Sequence, residues 1–176
     1  MAFDLQPTLT GNLLTLRPLR ADDFDALYAV AEDPLIWEQH PDKTRHTREG
    51  FKHFFQDAMD SRGALVAVDA KTRQIIGSSR YHDYNKEKDV VEIGWTFLAR
   101  TYWGGRYNAE MKRLMLTHAF RFVGRVSFKV GPENFRSLSA VEKIGAVRIG
   151  VGIDGAGRES VVFELTAARY EEMTRG

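Results

Sequence analysis

Residues 90–110 read VVEIGWTFLARTYWGGRYNAE, and this stretch decides the fold. Its first nine residues alternate: Val91, Ile93, Trp95 and Phe97 point one way and Val90, Glu92, Gly94, Thr96 and Leu98 the other, which is the period of a β-strand. The adjacent Gly104 and Gly105 then bend the chain, and from Tyr107 or Asn108 the period changes. Met111, Leu114, Met115, His118 and Phe122 form one helical stripe that Gly124 ends. A strand that feeds a helix through glycines sets unpaired N–H groups and the positive end of a helix dipole beside a permissive backbone. That geometry holds a phosphate or pyrophosphate, and Arg100 and Arg106 are placed to add charge-assisted bonds. An ordinary strand-to-helix turn reads the same way, and the local motif does not separate the two.

On the N-terminal side, residues 13–17 alternate ahead of Pro18 as a strand. Phe24, Leu27, Tyr28 and Ala31 have helical spacing, with Asp22 and Asp23 at the start and Pro34 at the stop. A polar loop holds Trp37, His40 and Pro41, and Phe51, Phe54, Phe55 and Ala58 repeat the helical spacing up to Gly63. Residues 64–69, 75–81 and 90–98 then form an antiparallel meander, with HDYNKEKD (82–89) as the last connecting loop. On the C-terminal side, residues 126–130 form a strand, Gly131 to Asn134 open a short helix ending at Gly145, and residues 147–151 and 160–165 pair across the turn Asp154-Gly155-Ala156-Gly157 before a last helical stretch. The order is strand, two helices, three strands, helix, strand, helix, two strands, an α/β (α+β) arrangement on a mostly antiparallel sheet.

The chain has 176 residues, with 25 Lys and Arg against 24 Asp and Glu and a net charge of +1. The length fits one domain over residues 1–176. The near-neutral charge disfavours a dedicated nucleic-acid binder, although Lys112, Arg113 and Arg121 make one basic stretch. The absence of cysteine excludes disulfides, a thiol nucleophile, Cys-ligated zinc and iron–sulfur clusters. No apolar run reaches ~18 residues and the first residues lack the pattern of a secretory signal, so a soluble, cytoplasmic protein is expected.

Gly150, Gly152 and Gly155 match GxGxxG, but they precede a strand, so no helix N-terminus faces a pyrophosphate and the reading is a hairpin turn. No P-loop and no GxSxG elbow is present. His40, His46, His53 and His82 lack ligand spacing, so no metal site is expected, and His118 reads as a core histidine with one hydrogen bond. Glu92 is a carboxylate within an apolar strand. Burial would raise its pKa and suit it to general-base work. The alternative is an ion pair with Arg80, which lies opposite if the hairpin closes symmetrically about residue 86. Asn134 and Ser137 at the start of the short helix read locally as capping residues.

The order and spacing of LTLRPLRADDFDALYAVAEDP, VVEIGWTFLARTYWGGRYNAEMKRLMLTHAF and ENFRSLSAVEKIGAVRIG resemble the GNAT (GCN5-related) N-acetyltransferase superfamily and, within it, the RimJ/RimL-like branch. The resemblance implies a twisted, mostly antiparallel sheet of six to seven strands flanked by helices, with acetyl-CoA in a cleft where the parallel strands 90–98 and 126–130 splay. It implies that backbone at Thr96, Phe97 and Leu98 pairs with the pantetheine arm and that N–H groups from Gly104 to Ala109, including Gly105, Arg106, Tyr107 and Asn108, take the pyrophosphate beside Trp103. Asn134 and Arg136 would join the cofactor contacts, and Ser137 would set a hydroxyl near the CoA sulfur. The chain departs from the usual loop: Arg106 stands where a glycine is usual, and Asn108 where Gly or Ala is usual.

The implied reaction is direct acetyl transfer from acetyl-CoA to a small-molecule or peptide amine, with Glu92 as base and Ser137 as stabiliser of the leaving thiolate. A non-catalytic acyl-CoA sensor of the same fold is the alternative. Trp37, His40, Arg45, Arg80, Tyr81 and His82 are candidates for the acceptor pocket, a solvated loop being the other reading. No metal, nucleic acid or membrane is implied, and the family allows for a homodimer.

Overall fold

The computed structural model describes residues 2–154 and 156–175, so Gly155, the last glycine of the GxGxxG match, lies outside the described residues. Eight strands form one sheet: β1 (Leu9–Thr10), β2 (Leu14–Pro18), β3 (Ala64–Asp69), β4 (Ile75–Asn85), β5 (Val90–Leu98), β6 (Arg125–Val130), β7 (Val147–Ile153) and β8 (Glu159–Thr166). Five helices accompany them: α1 (Phe24–Ala31), α2 (Arg48–Ser61), α3 (Arg106–Ala119), α4 (Phe135–Lys143) and α5 (Ala167–Arg175). The strand order is β1-β2-β3-β4-β5-β6-β8-β7. Every pair is antiparallel except β5 with β6.

The expected elements are present, with two additions. Strand β1 has two residues, too few to leave a periodic signal, and raises the expected six or seven strands to eight. The expected loop after residue 81 begins as strand, since β4 runs on through His82 to Asn85. Among the described residues, no helix is long and apolar enough to cross a membrane.

Two cores lie on the two faces of the sheet. On one face Val91, Ile93, Leu98 and Val126 pack with Met111, Met115 and Leu116 of α3 and Val141 of α4. On the other, Leu27 of α1 and Phe51, Phe54 and Phe55 of α2 pack with Trp37, Val66 and Phe97. Helix α3 is anchored by Glu110, whose carboxylate accepts the backbone N–H of Asn12, Leu13 and Leu14 at 2.7–2.9 Å. His118 is buried with Nε2 2.8 Å from Asp4 O, the core role its sequence position suggested.

The alternation expected along β5 holds only for its first half. The β4–β5 register slips between Ser78 and Arg80, and Trp95 has φ 53°, a left-handed conformation that a bulky residue rarely adopts. This is a β-bulge, which inserts a residue and reverses the phase of the side chains beyond it. Val91 and Ile93 therefore face α3, whereas Trp95 and Phe97 face the opposite core and Leu98 takes the α3 side. A bulge carries no signature in residue types when the bulged position is not glycine.

Candidate active site

The parallel strands part soon after they meet. Their pairs are Val90 with Arg125, Val91 with Val126 and Glu92 with Ser127. Beyond Glu92 the strand is paired only with β4, with no β6 partner on its other edge. Its backbone there is set by alternation. Ala99 N donates to Ile76 O at 2.8 Å and the Phe97 carbonyl lies against Gly77, so these groups are turned to β4. Thr96 and Leu98 point the other way, toward the gap. Phe97 therefore turns its backbone away from the gap, and its ring packs 5.1 Å from that of Trp37 and 5.7 Å from that of Phe54, so it does not share the expected pantetheine contacts. The Leu98 carbonyl accepts the Trp103 indole N–H at 2.9 Å.

At the mouth of the gap, Gly104 and Gly105 have φ 116° and 101°, the region open to glycine and costly for other residues. A Cβ on either would meet nothing within 4 Å, so the bend presents a clear surface. Gly105 is the N-cap of α3 and makes no side-chain capping bond. Ala109 N–H already donates to Gly105 O at 2.8 Å. The N–H groups of Arg106, Tyr107 and Asn108 are left without an intrahelical acceptor, as the geometry of any first turn requires. The expected anion cradle thus shortens by one residue and excludes Ala109. Arg106 is the exposed first residue of the helix.

Arg100 does not reach this cradle. It is ion-paired with Asp33, a contact that holds the Asp33 carboxyl below its ordinary range. Across the gap, the Arg136 guanidinium sits 4.4 Å from the Trp103 ring centroid, and its backbone N–H donates to Gln39 Oε1 at 3.1 Å. Asn134 is the N-cap of α4 but makes no side-chain cap bond. The capping role expected of it from local sequence is therefore unfilled and its amide is available. Ser137 lies one turn further along, half-buried.

Glu92 stands on the face opposite α3 and is 5% exposed. Its cross-strand neighbours are His82 on β4 and Ser127 on β6: beside Glu92 the hairpin pairs about residue 87 and not 86, which sets Arg80 opposite Gly94 instead. Arg80 instead donates to Asp57 at 2.8 Å, and its guanidinium lies 4.4 Å from the Trp95 ring centroid. The Glu92 carboxylate has Lys129 Nζ at 3.6 Å and His82 Nδ1 at 3.8 Å. Burial raises its pKa above the ordinary carboxylate range, against the opposing pull of Lys129 and His82. His82, Asp83 and Glu92 bring ligand-type atoms within 4.8 Å of one another, and the Lys129 ammonium already supplies the local positive charge.

The acceptor candidates divide by face. Tyr81 belongs to the α3 core: it is fully buried, its hydroxyl donates to Met115 O at 2.5 Å, and burial raises its pKa. Alternation along β4 turns it away from His82, so it does not line the acceptor side. Trp37 is 3% exposed and donates its indole N–H to Ala31 O, a structural role. His40, Arg45, Arg80 and His82 share the Glu92 side of the sheet. Arg45 stacks on Trp37 and Phe54, at 5.5 and 4.9 Å, and its Nη1 is 3.3 Å from His40 Nε2. Burial, reinforced by Arg45, lowers the His40 pKa to about 4 and leaves it neutral at pH 7. Sequence reasoning missed Lys129, whose alternating strand position could have flagged it, and Asp57, which sits on a different element with no local cue.

A splayed parallel pair, an uncapped helix N-terminus behind two glycines and a buried carboxylate define an acyltransferase class of site. The chain belongs to the acetyltransferase (GNAT) domain family, whose model matches residues 14–147. Solved structures agree in fold. A GCN5-related N-acetyltransferase from Brucella melitensis superposes with TM-score 0.84 at 18% identity, covering 97% of this chain and 83% of that one. RimJ of Mycobacterium smegmatis, in complex with CoA-disulfide, gives TM-score 0.69 at 21% identity over 92% and 88%. Spermidine N-acetyltransferase from Vibrio cholerae, in complex with CoA and spermine, gives 0.70 at 16% over 92% and 99%.

Proposed function

We propose that this chain transfers the acetyl group of acetyl-CoA to a primary amine, on a small molecule or a protein N-terminus, as members of the RimJ/RimL-like branch do. The observation that carries the reading is the coincidence of the β5–β6 gap with the free N–H groups of Arg106 to Asn108 at its mouth. The residues present fit the ligand: the gap edge of β5 offers backbone groups at Thr96 and Leu98 for an extended amide-bearing arm, and the glycine bend is clear of side chains where a diphosphate would approach. RimJ, with CoA-disulfide bound, and the spermidine acetyltransferase, with CoA and spermine, supply the analogy for the ligand class.

Acetyl-CoA supplies an activated acetyl group: the amine nitrogen bonds to the thioester carbon, the carbon–sulfur bond breaks and CoA leaves as a thiolate. Glu92 takes the proton that the attacking amine gives up, directly or through water, and burial, by raising its pKa, makes it a stronger base than a solvated carboxylate. The demand on the base depends on the acceptor. At pH 7 an α-amine is roughly one-tenth neutral, whereas a lysine is neutral in only about one molecule per 2500. Ser137 donates a hydrogen bond to the leaving sulfur, and Asn134 and Arg136 contact the carrier. His40, Arg45, Arg80 and His82 line the acceptor side, their cationic and aromatic character suited to an amine that also carries an anionic or carbonyl group.

The test is calorimetry with acetyl-CoA, CoA and ATP, followed by thiol release against a panel of peptide α-amines and polyamines. Binding of both CoA species with thiol release is expected. Binding without release for any amine would favour a sensor over an enzyme, and no binding would remove the reading.

A further inference from the structure

Helix α3 buries a lysine. Lys112 is 6% exposed and donates from Nζ to Thr96 Oγ1 at 2.7 Å. That hydroxyl is 2.8 Å from Ser79 Oγ, which reaches toward Gly94 O at 3.5 Å. Burial alone lowers the lysine pKa to about 7, with no nearby charge contributing. The inward placement also takes Lys112 out of the basic surface stretch that its sequence neighbours Arg113 and Arg121 suggested.

Packing does not account for this residue. Burying an ammonium without a counter-charge is costly, and the same helix fills adjacent core positions with Met111 and Met115. A methionine at 112 would occupy the volume without the cost. The place where the chain Lys112–Thr96–Ser79 ends is informative. It is the bulge, where the β4–β5 register slips and β5 has lost β6 as a partner. Three side chains from α3, β5 and β4 meet where ladder bonds are missing, directly behind the backbone that borders the gap.

We infer that Lys112 is a positioning residue for acyl transfer: through Thr96 it fixes the splayed half of β5, and in its protonated form it makes the bulge more positive where negative charge gathers on the reacting thioester. This rests on the acetyl-CoA reading of the cleft. Lys112 exchanges no atom with the substrates. Its contribution is a field and a fixed strand, which grow in value inside a site of low dielectric.

The test compares wild type with Lys112→Met, which keeps shape and removes charge, and Thr96→Val, which cuts the link. Melting temperature, acetyl-CoA affinity by calorimetry, and kcat and KM by thiol release with a mixture of peptide α-amines and polyamines are measured for each. Lys112→Met is expected to melt at or above wild type and to bind acetyl-CoA within about threefold, while kcat falls about tenfold or more at unchanged KM. Thr96→Val should move kcat in the same direction by less. An unchanged kcat in both variants overturns the inference, and so does a fall in kcat that tracks equal losses of melting temperature and affinity, since that is a packing role. Wild type that binds no acetyl-CoA is a different result: it sinks the cleft reading first and this inference with it.

Discussion

The two halves of β5 are one strand under two regimes. From Val90 to Glu92 the backbone is held by β4 on one side and β6 on the other, and Val91 feeds the α3 core. From Ile93 to Leu98 it keeps only β4, passes through a bulge at Trp95 and turns Thr96 and Leu98 to a gap. The paired half stabilises the sheet. The unpaired half leaves its gap edge without a β6 partner, only the Leu98 carbonyl having found the Trp103 indole, and a buried unmet backbone group is costly unless a ligand or water meets it. A ladder stopped early leaves an open edge on β5, the proposed binding edge, and its last paired rung carries the candidate base.

Substitutions at Glu92 and on either side of it separate the two halves experimentally. Glu92→Gln should have the largest effect, lowering kcat by about 10²- to 10⁴-fold while leaving acetyl-CoA affinity near wild type. It also carries a pH signature. With the folded pKa raised above 4.5, the folded state holds a proton that the unfolded state has lost, so wild-type stability declines as pH rises through the window above 4.5. Thermal melts of Glu92→Gln should lack that slope, and wild-type activity should rise with pH across the same window. A flat profile in both would remove Glu92 as a base.

Val91→Ala, in the paired half, should cost about 2 kcal/mol in chemical denaturation and leave affinity for acetyl-CoA unchanged. Gly105→Ala, at the mouth of the unpaired half, should instead lose affinity on top of a comparable loss of stability. Its positive φ strains any Cβ by about 1–2 kcal/mol, and displacement of the bend should weaken acetyl-CoA binding about tenfold in calorimetry. If Val91→Ala were the variant that lost affinity, the division of labour along β5 would be wrong. Ser137→Ala should be the mildest, a several-fold loss in kcat from one hydrogen bond to the leaving sulfur, read by thiol release.

Much of this was legible because periodicity reports burial. The helical stripe from Met111 to His118 and the alternation of Val91 and Ile93 follow from which side chains must leave water. The glycine pair at 104–105 was legible because only glycine takes those φ values cheaply. The bulge was not, because Trp95 adopts a left-handed conformation that its residue type argues against; that single residue reversed the expected faces beyond it. Arg80 was misplaced for a different reason: a long polar turn leaves the hairpin midpoint open, and the strands pair about residue 87, not 86. Tyr81 and Trp37 read as pocket residues because aromatic side chains look alike in core and cleft. Arg100 read as a phosphate ligand because its partner, Asp33, lies far off in sequence. Lys112 was hidden by the convention that lysines are exposed.

The central claim is that acetyl-CoA occupies the gap beyond Glu92 and rests on the first turn of α3. Backbone amide NMR during titration with CoA measures this most directly. The largest shifts are expected at Thr96, Leu98 and Gly104 to Asn108, with the amides of Val90 to Glu92 nearly still. Shifts centred on any other edge of the sheet, or none at saturating CoA, would contradict it.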